Sequence, residues 1–170
     1  VFYIREVLLY SAKDFDERYF ILMEKILNAL EKLEDLLKKN ENNLLKNYIN
    51  ILLRAFEMKV LYISGISPQL DSCVLCSNSK ANFYSISEGG IICNNCKKTL
   101  KDAIELDKND INFMRIIKRT SLIDIAQNKE INNFYINSIT NVRDIMNKSL
   151  FNHLNKNFKS LKVLEEVLFN

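Results

Sequence analysis

Residues 53–96 read LRAFEMKVLYISGISPQLDSCVLCSNSKANFYSISEGGIICNNC, and they join two kinds of chain. Up to Ile63 apolar residues recur every three to four positions, the period of a packed helix. Gly65 stands where a C-terminal helix cap is expected, and Pro68 stops any continuation. From there the cysteines set the pattern. Cys73 and Cys76 are two residues apart, sixteen residues follow, and Cys93 and Cys96 repeat the pair. Two intervening residues let both sulfurs of a pair face one ion, and four thiolates suit tetrahedral zinc. Two disulfides, which fit a secreted chain, or unligated thiols are the competing readings. A thioredoxin-like motif would need a βαβ context that is absent here. Four thiolates saturate the ion, so the reading is one structural Zn2+ rather than a catalytic one. The single histidine, His153, lies far along a late helix and reads as an ordinary helix residue.

Working outward, residues 1–12 form a short apolar helix. Asp14 and Glu17 have the spacing of a capping box for the next. Tyr19, Met23, Ile26, Leu30, Leu33 and Leu37 then trace the seam of a second helix, with Glu24, Lys25, Glu31, Lys32 and Asp35 on its wet side. The polar stretch 38–43 connects to a third helix from about Leu44 to Ile63, built on Leu45, Tyr48, Ile49, Leu52, Phe56 and Val60. Residues 71–98 form a polar insert in which 82–86 and 90–92 read as two short strands. Helical pattern resumes at Lys97 and again near Asp110, where Ile111, Met114, Ile116 and Ile117 supply an apolar face. It ends in a long helix from about Ile131 to Leu154, with Phe134 inward, and a short one over 161–169. The fold class is mainly α: residues 1–170 form a single helical-bundle domain with a small four-cysteine zinc-binding insert at about 71–98.

With only 3 Gly and 1 Pro in 170 residues, a β-rich fold would lack turn residues, whereas a 48% apolar content supports a core. Net charge is +3, too mild by itself to argue for nucleic acid. Charged residues near the N-terminus argue against a secretory signal, and no apolar run approaches the roughly 20 residues needed to cross a bilayer. A cytoplasmic location with no membrane association is expected. The first residue is Val1, which reads as a fragment of a longer protein or a trimmed product.

The run Leu53–Leu61, followed by Gly65, Pro68, Leu70-Asp71, the first cysteine pair, Phe83, Gly89-Gly90 and the second pair, resembles the C-terminal part of the bacterial recombination mediator family RecO. The tail, with Val142-Arg143 and 159–162, resembles that family more loosely. Ser77 departs from the pattern, which has Gly after the second cysteine because the turn takes positive φ. The resemblance implies an N-terminal OB-fold, missing from this chain, ahead of the helical and zinc-binding region. It also implies a nucleoid-associated DNA repair and recombination role without bond chemistry. Members bind single- and double-stranded DNA, anneal strands, and with RecR help RecA replace the single-strand binding protein SSB, whose C-terminal tail docks on the bundle.

Lys97, Lys98, Lys101, Arg115, Lys118 and Arg119 are the candidate DNA contacts. Arg115, Lys118 and Arg119 share a helix face by their spacing, and Lys97-Lys98 follow the last ligand directly. Asp102, Glu105, Asp107 and Asp110 dilute them, so a merely solvated face is the competing reading. Phe83 and Tyr84 are candidates for base stacking or, instead, for packing beside the cysteines. No nucleophile-base pair, phosphate loop or open metal site points to an enzyme. The alternative to a DNA-binding mediator is a structural or protein-interaction zinc module that does not touch DNA.

Overall fold

The fold follows from the burial of the middle of one helix on all sides. The structure is a computed structural model that describes residues 1–12, 16–37, 42–128, 131 and 138–169. Among these, α1 spans Phe2–Ser11, α2 Glu17–Leu37 and α3 Asn42–Ile63. Every residue from Ile51 to Met58 is buried. One face of a helix cannot hold eight consecutive residues, so α3 must be enclosed. The enclosing partners are α2, α5 (Lys108–Arg119), α6 (Leu122–Gln127), α7 (Ile139–Leu154) and α8 (Lys159–Phe169). The expected seam of α2 is present at Tyr19, Ile26 and Leu33, widened by Leu22 and Ala29.

Enclosure takes two charged residues inside. Arg54 and Glu57 are 1% and 0% exposed and pair at 2.6 Å. The Tyr3 hydroxyl of α1 donates to the same Glu57 oxygen at 2.5 Å. Burial pushes the Glu57 carboxyl up from its ordinary range, against the opposing pull of Arg54. At the other end of α1, the Glu6 carboxylate accepts hydrogen bonds from the backbone N–H groups of Lys159 and Ser160, at 3.1 and 2.9 Å. These are orphan donors of the first turn of α8, so Glu6 caps that helix from outside.

Helix ends are set by local chemistry. The Gly65 and Ile66 amides donate to the Tyr62 and Leu61 carbonyls, and Gly65 takes φ +79°, a Schellman cap. At α5, the Asp107 carboxylate accepts from the Asp110 amide at 2.7 Å, and Asp110 returns the bond at 3.2 Å. Asp110 also accepts from Asn141 at 2.9 Å, fastening α5 to α7. The capping box expected at Asp14, and Phe134 of the expected long helix, lie outside the described residues. Within them that last helix begins at Ile139.

The insert carries three strands rather than two: β1 Ala81–Ser85, β2 Gly90–Cys93 and β3 Ala103–Glu105, in the order β2-β1-β3, all antiparallel. Helical structure also starts earlier than expected, since α4 covers Asn94–Lys97 and ends at Lys97. The reason is pairing. Ser85 aligns with Ala103 and Phe83 with Glu105, so 103–105 completes the free edge of β1. The insert therefore reaches Glu105 rather than stopping near 98.

Because Arg54 and Glu57 compensate each other inside the bundle, Arg54→Met is expected to lower unfolding free energy by about 3–5 kcal/mol in urea titrations. Tyr3→Phe, which removes one buried hydrogen bond, should cost about 1–2 kcal/mol.

Candidate metal centre

Each cysteine pair occupies a different local structure. Cys73 and Cys76 sit in a loop where the Ser77 amide donates to the Cys73 carbonyl at 2.8 Å and the Cys73 amide to the Asn78 carbonyl at 2.9 Å. Ser77 closes this turn at φ +60°, the left-handed conformation for which a glycine was expected. Cys93 ends β2 and Cys96 lies in α4, so the second pair spans a strand-to-helix turn.

The topology brings all four together: their Sγ atoms lie within 4.8 Å of one another. A tetrahedral zinc with Zn–S of about 2.3 Å needs sulfurs about 3.8 Å apart. Cys76 and Cys93 Sγ are 3.6 Å apart, and all four thiols are free. The four sulfurs are spaced for a shared ion rather than for two S–S bonds, and the donor set suits a metal ion of the zinc type. Burial raises the Cys73 thiol, but backbone hydrogen bonds at Cys93, Leu75 and Cys76 outweigh it and bring it down to about 6. Side-chain hydrogen bonds with Cys76 and Cys93 push Cys96 up to about 12. Four crowded thiols cannot all ionise unaided, and a dication would supply the missing charge.

The ribbon is anchored to the bundle by a strap, residues 68–71. The Gln69 amide donates to the Gly89 carbonyl and Ile91 to the Gln69 carbonyl, at 3.0 and 2.9 Å, while Val74 donates to Ile91. This close approach explains Gly90. A Cβ there would sit 2.5 Å from Val74 Cγ1 and 2.7 Å from the Gln69 carbonyl oxygen.

The six basic candidates fall into two groups. On the ribbon, Lys98 and Lys101 are exposed, and the Lys97 ammonium lies 3.9 Å from the centre of the Phe83 ring. On α5, Arg115 donates to the Leu70 carbonyl at 3.0 and 2.6 Å, Lys118 donates to the Pro68 carbonyl at 2.8 Å, and Arg119 lies 3.8 Å from Asp71. The α5 group shares a face, as its spacing suggested, and that face grips the strap. Phe83 and Tyr84 are 4% and 1% exposed and pack in the core, which rules out base stacking by either.

A groove of about 870 Å³ on the bundle was missed in the sequence. Ile21, Leu22, Ile63, Leu122 and Ile123 form its apolar wall, and Arg18, Lys25, Lys32, Lys59 and Arg119 line it, with Glu31 as the acidic member. Arg18, Lys25 and Lys32 recur every seven residues along α2, a signal that reads as solvated surface until α3 and α6 are placed beside it. No described helix is long and apolar enough to cross a membrane.

Two substitutions test the local geometry. Gly90→Ala should destabilise by about 1–3 kcal/mol, since the backbone of Gln69 cannot yield. Ser77→Gly should stabilise by about 0.5–1 kcal/mol, because the left-handed penalty of an L residue exceeds the entropy cost of glycine. Chemical unfolding of the metal-loaded chain measures both.

A family model described as Recombination protein O C terminal matches residues 2–162. The chain is 29% identical over 119 residues to the DNA repair protein RecO of Alkaliphilus metalliredigens, covering 68% of this chain and 47% of that protein. It is 32% identical over 78 residues to the DNA repair protein RecO of Syntrophomonas wolfei, covering 45% and 31%. To that of Clostridium perfringens it is 35% identical over 74 residues, covering 42% and 32%. The matched stretch thus spans less than half of each relative. No solved structure matches the chain. With a mainly helical bundle, a four-cysteine ribbon and a family match over nearly all its length, the chain belongs to the family of recombination protein O C-terminal regions.

Proposed function

We propose that this chain is the partner- and DNA-binding region of a DNA repair mediator, working without bond chemistry in the bacterial cytoplasm at the nucleoid. The observation that carries the reading is the groove, an apolar wall among five cations. That combination fits the end of an acidic chain with apolar terminal residues, and the C-terminal tail of SSB is the proposed occupant. Burial, and then the neighbouring Lys25, hold the Lys59 ammonium below its ordinary range. A carboxylate in the groove would relieve that repulsion. The exposed Lys98 and Lys101 of the ribbon, joined by Lys97, supply a phosphate-binding surface for single- and double-stranded DNA and for strand annealing. Cooperation with RecR in loading RecA onto SSB-coated strands belongs to the same reading. The metal is taken as one structural zinc that braces the ribbon lysines.

A second reading is a structural and protein-interaction module with no direct DNA contact. It is favoured by the engagement of Arg115, Lys118 and Arg119 with the strap. DNA affinity measured at 50 and 200 mM salt separates the two. Affinity at low salt that falls steeply with added salt, and that drops several-fold in Lys98→Ala/Lys101→Ala, supports the mediator reading. No affinity at either salt leaves the interaction module.

Metal analysis should return one zinc per chain. Cys73→Ser is expected to lower both zinc occupancy and the thermal midpoint. Zinc removal with an unchanged unfolding curve would show that the ion is not structural. Since thiolates are the ligands, zinc affinity is expected to weaken as pH falls.

A further inference from the structure

The groove and the ribbon strap share their holding residues. Arg119 faces the groove and also lies 3.8 Å from Asp71 of the strap. Lys59, another groove residue, donates to the Lys118 carbonyl at 2.7 Å, holding the C-terminal turn of α5 from which Lys118 reaches Pro68. These contacts differ in strength. The Arg115 fork on Leu70 makes two short bonds from a half-buried side chain. The Arg119–Asp71 pair is 74% and 68% exposed, the kind of ion pair that exchanges readily.

We infer that an acidic ligand in the groove competes with Asp71 for Arg119, so that groove occupancy loosens the strap and with it the anchoring of the metal ribbon. The inference rests on the reading of the groove as a dock for acidic chain ends. The route is short. Asp71 is two residues from Gln69, whose amide and carbonyl pair with Gly89 and Ile91, and two residues from Cys73. Coupling of this kind is reciprocal, so Asp71 must in turn weaken ligand binding. An exposed ion pair limits the effect to about two- to fivefold.

The probe is a fluorescein-labelled peptide of three aspartates followed by leucine and phenylalanine with a free C-terminus, titrated into the full zinc-loaded chain by anisotropy. Asp71→Asn is expected to tighten binding about two- to fivefold. In an Arg119→Gln background the same change should have no effect. Saturating peptide should speed amide exchange at Gln69 and Ile91 by a similar factor, and fail to do so in Arg119→Gln. Both substituted side chains are solvent-exposed, and unfolding curves verify that the variants remain folded. Equal tightening in both backgrounds would mean simple through-space charge and would overturn the inference. So would peptide binding that Asp71→Asn leaves unchanged, with the groove reading intact. No binding to the unsubstituted chain would overturn the groove reading and this inference together.

Discussion

The constraint on which the structure depends is that the middle of α3, Ile51–Met58, has no wet side. Over those eight residues burial runs around the whole circumference, so stability requires neighbours on several sides. That requirement fixes the number of surrounding helices. It also explains why Arg54 and Glu57 are tolerated inside. A long side chain pointing inward has nowhere to reach solvent, so its charge must be met by another on the same helix. The Tyr3 hydroxyl extends the pair to α1, which turns an internal electrostatic necessity into a contact between helices.

The ribbon obeys a different rule. Its loops are too polar to make a core, and its three strands, of three to five residues, are at the short end for a sheet. Two sources of order compensate: a four-sulfur cluster on one side and the strap on the other. The strap is polar chain held by polar contacts, backbone to backbone at Gln69 and cation to carbonyl at Leu70 and Pro68. Basic residues of α5 thus act on structure first, and any role in recognition is exercised by side chains already engaged.

Much of this was legible in the sequence. The cysteine spacing located the four-sulfur cluster because the constraint is local to each pair, and Gly65 and Pro68 located the end of α3 for the same reason. The positive φ at Ser77 agrees with the family resemblance, whose pattern has a glycine at that turn. What was lost required knowledge of neighbours. β3 is three residues, Ala103-Ile104-Glu105, with no alternation to betray it, and it exists only because the edge of β1 is free. The apolar stripe of α3 was visible, but not that Leu53, Ala55, Met58 and Leu61 on its other sides are buried as well. The groove lies between helices distant in sequence, and its cations read as ordinary surface until those helices meet. Arg115 and Lys118 looked like free charges because no local pattern reveals a carbonyl 45 or 50 residues away.

The cap that Glu6 places on α8 joins residues 154 positions apart. Once α1 has been made, the Glu6 carboxylate finds these partners only after residue 160 has followed. The entropy of closing so long a loop grows only slowly with length. The seal between α1 and α8 is therefore a matter of timing more than of cost, since this edge of the bundle cannot close before residue 160 is made.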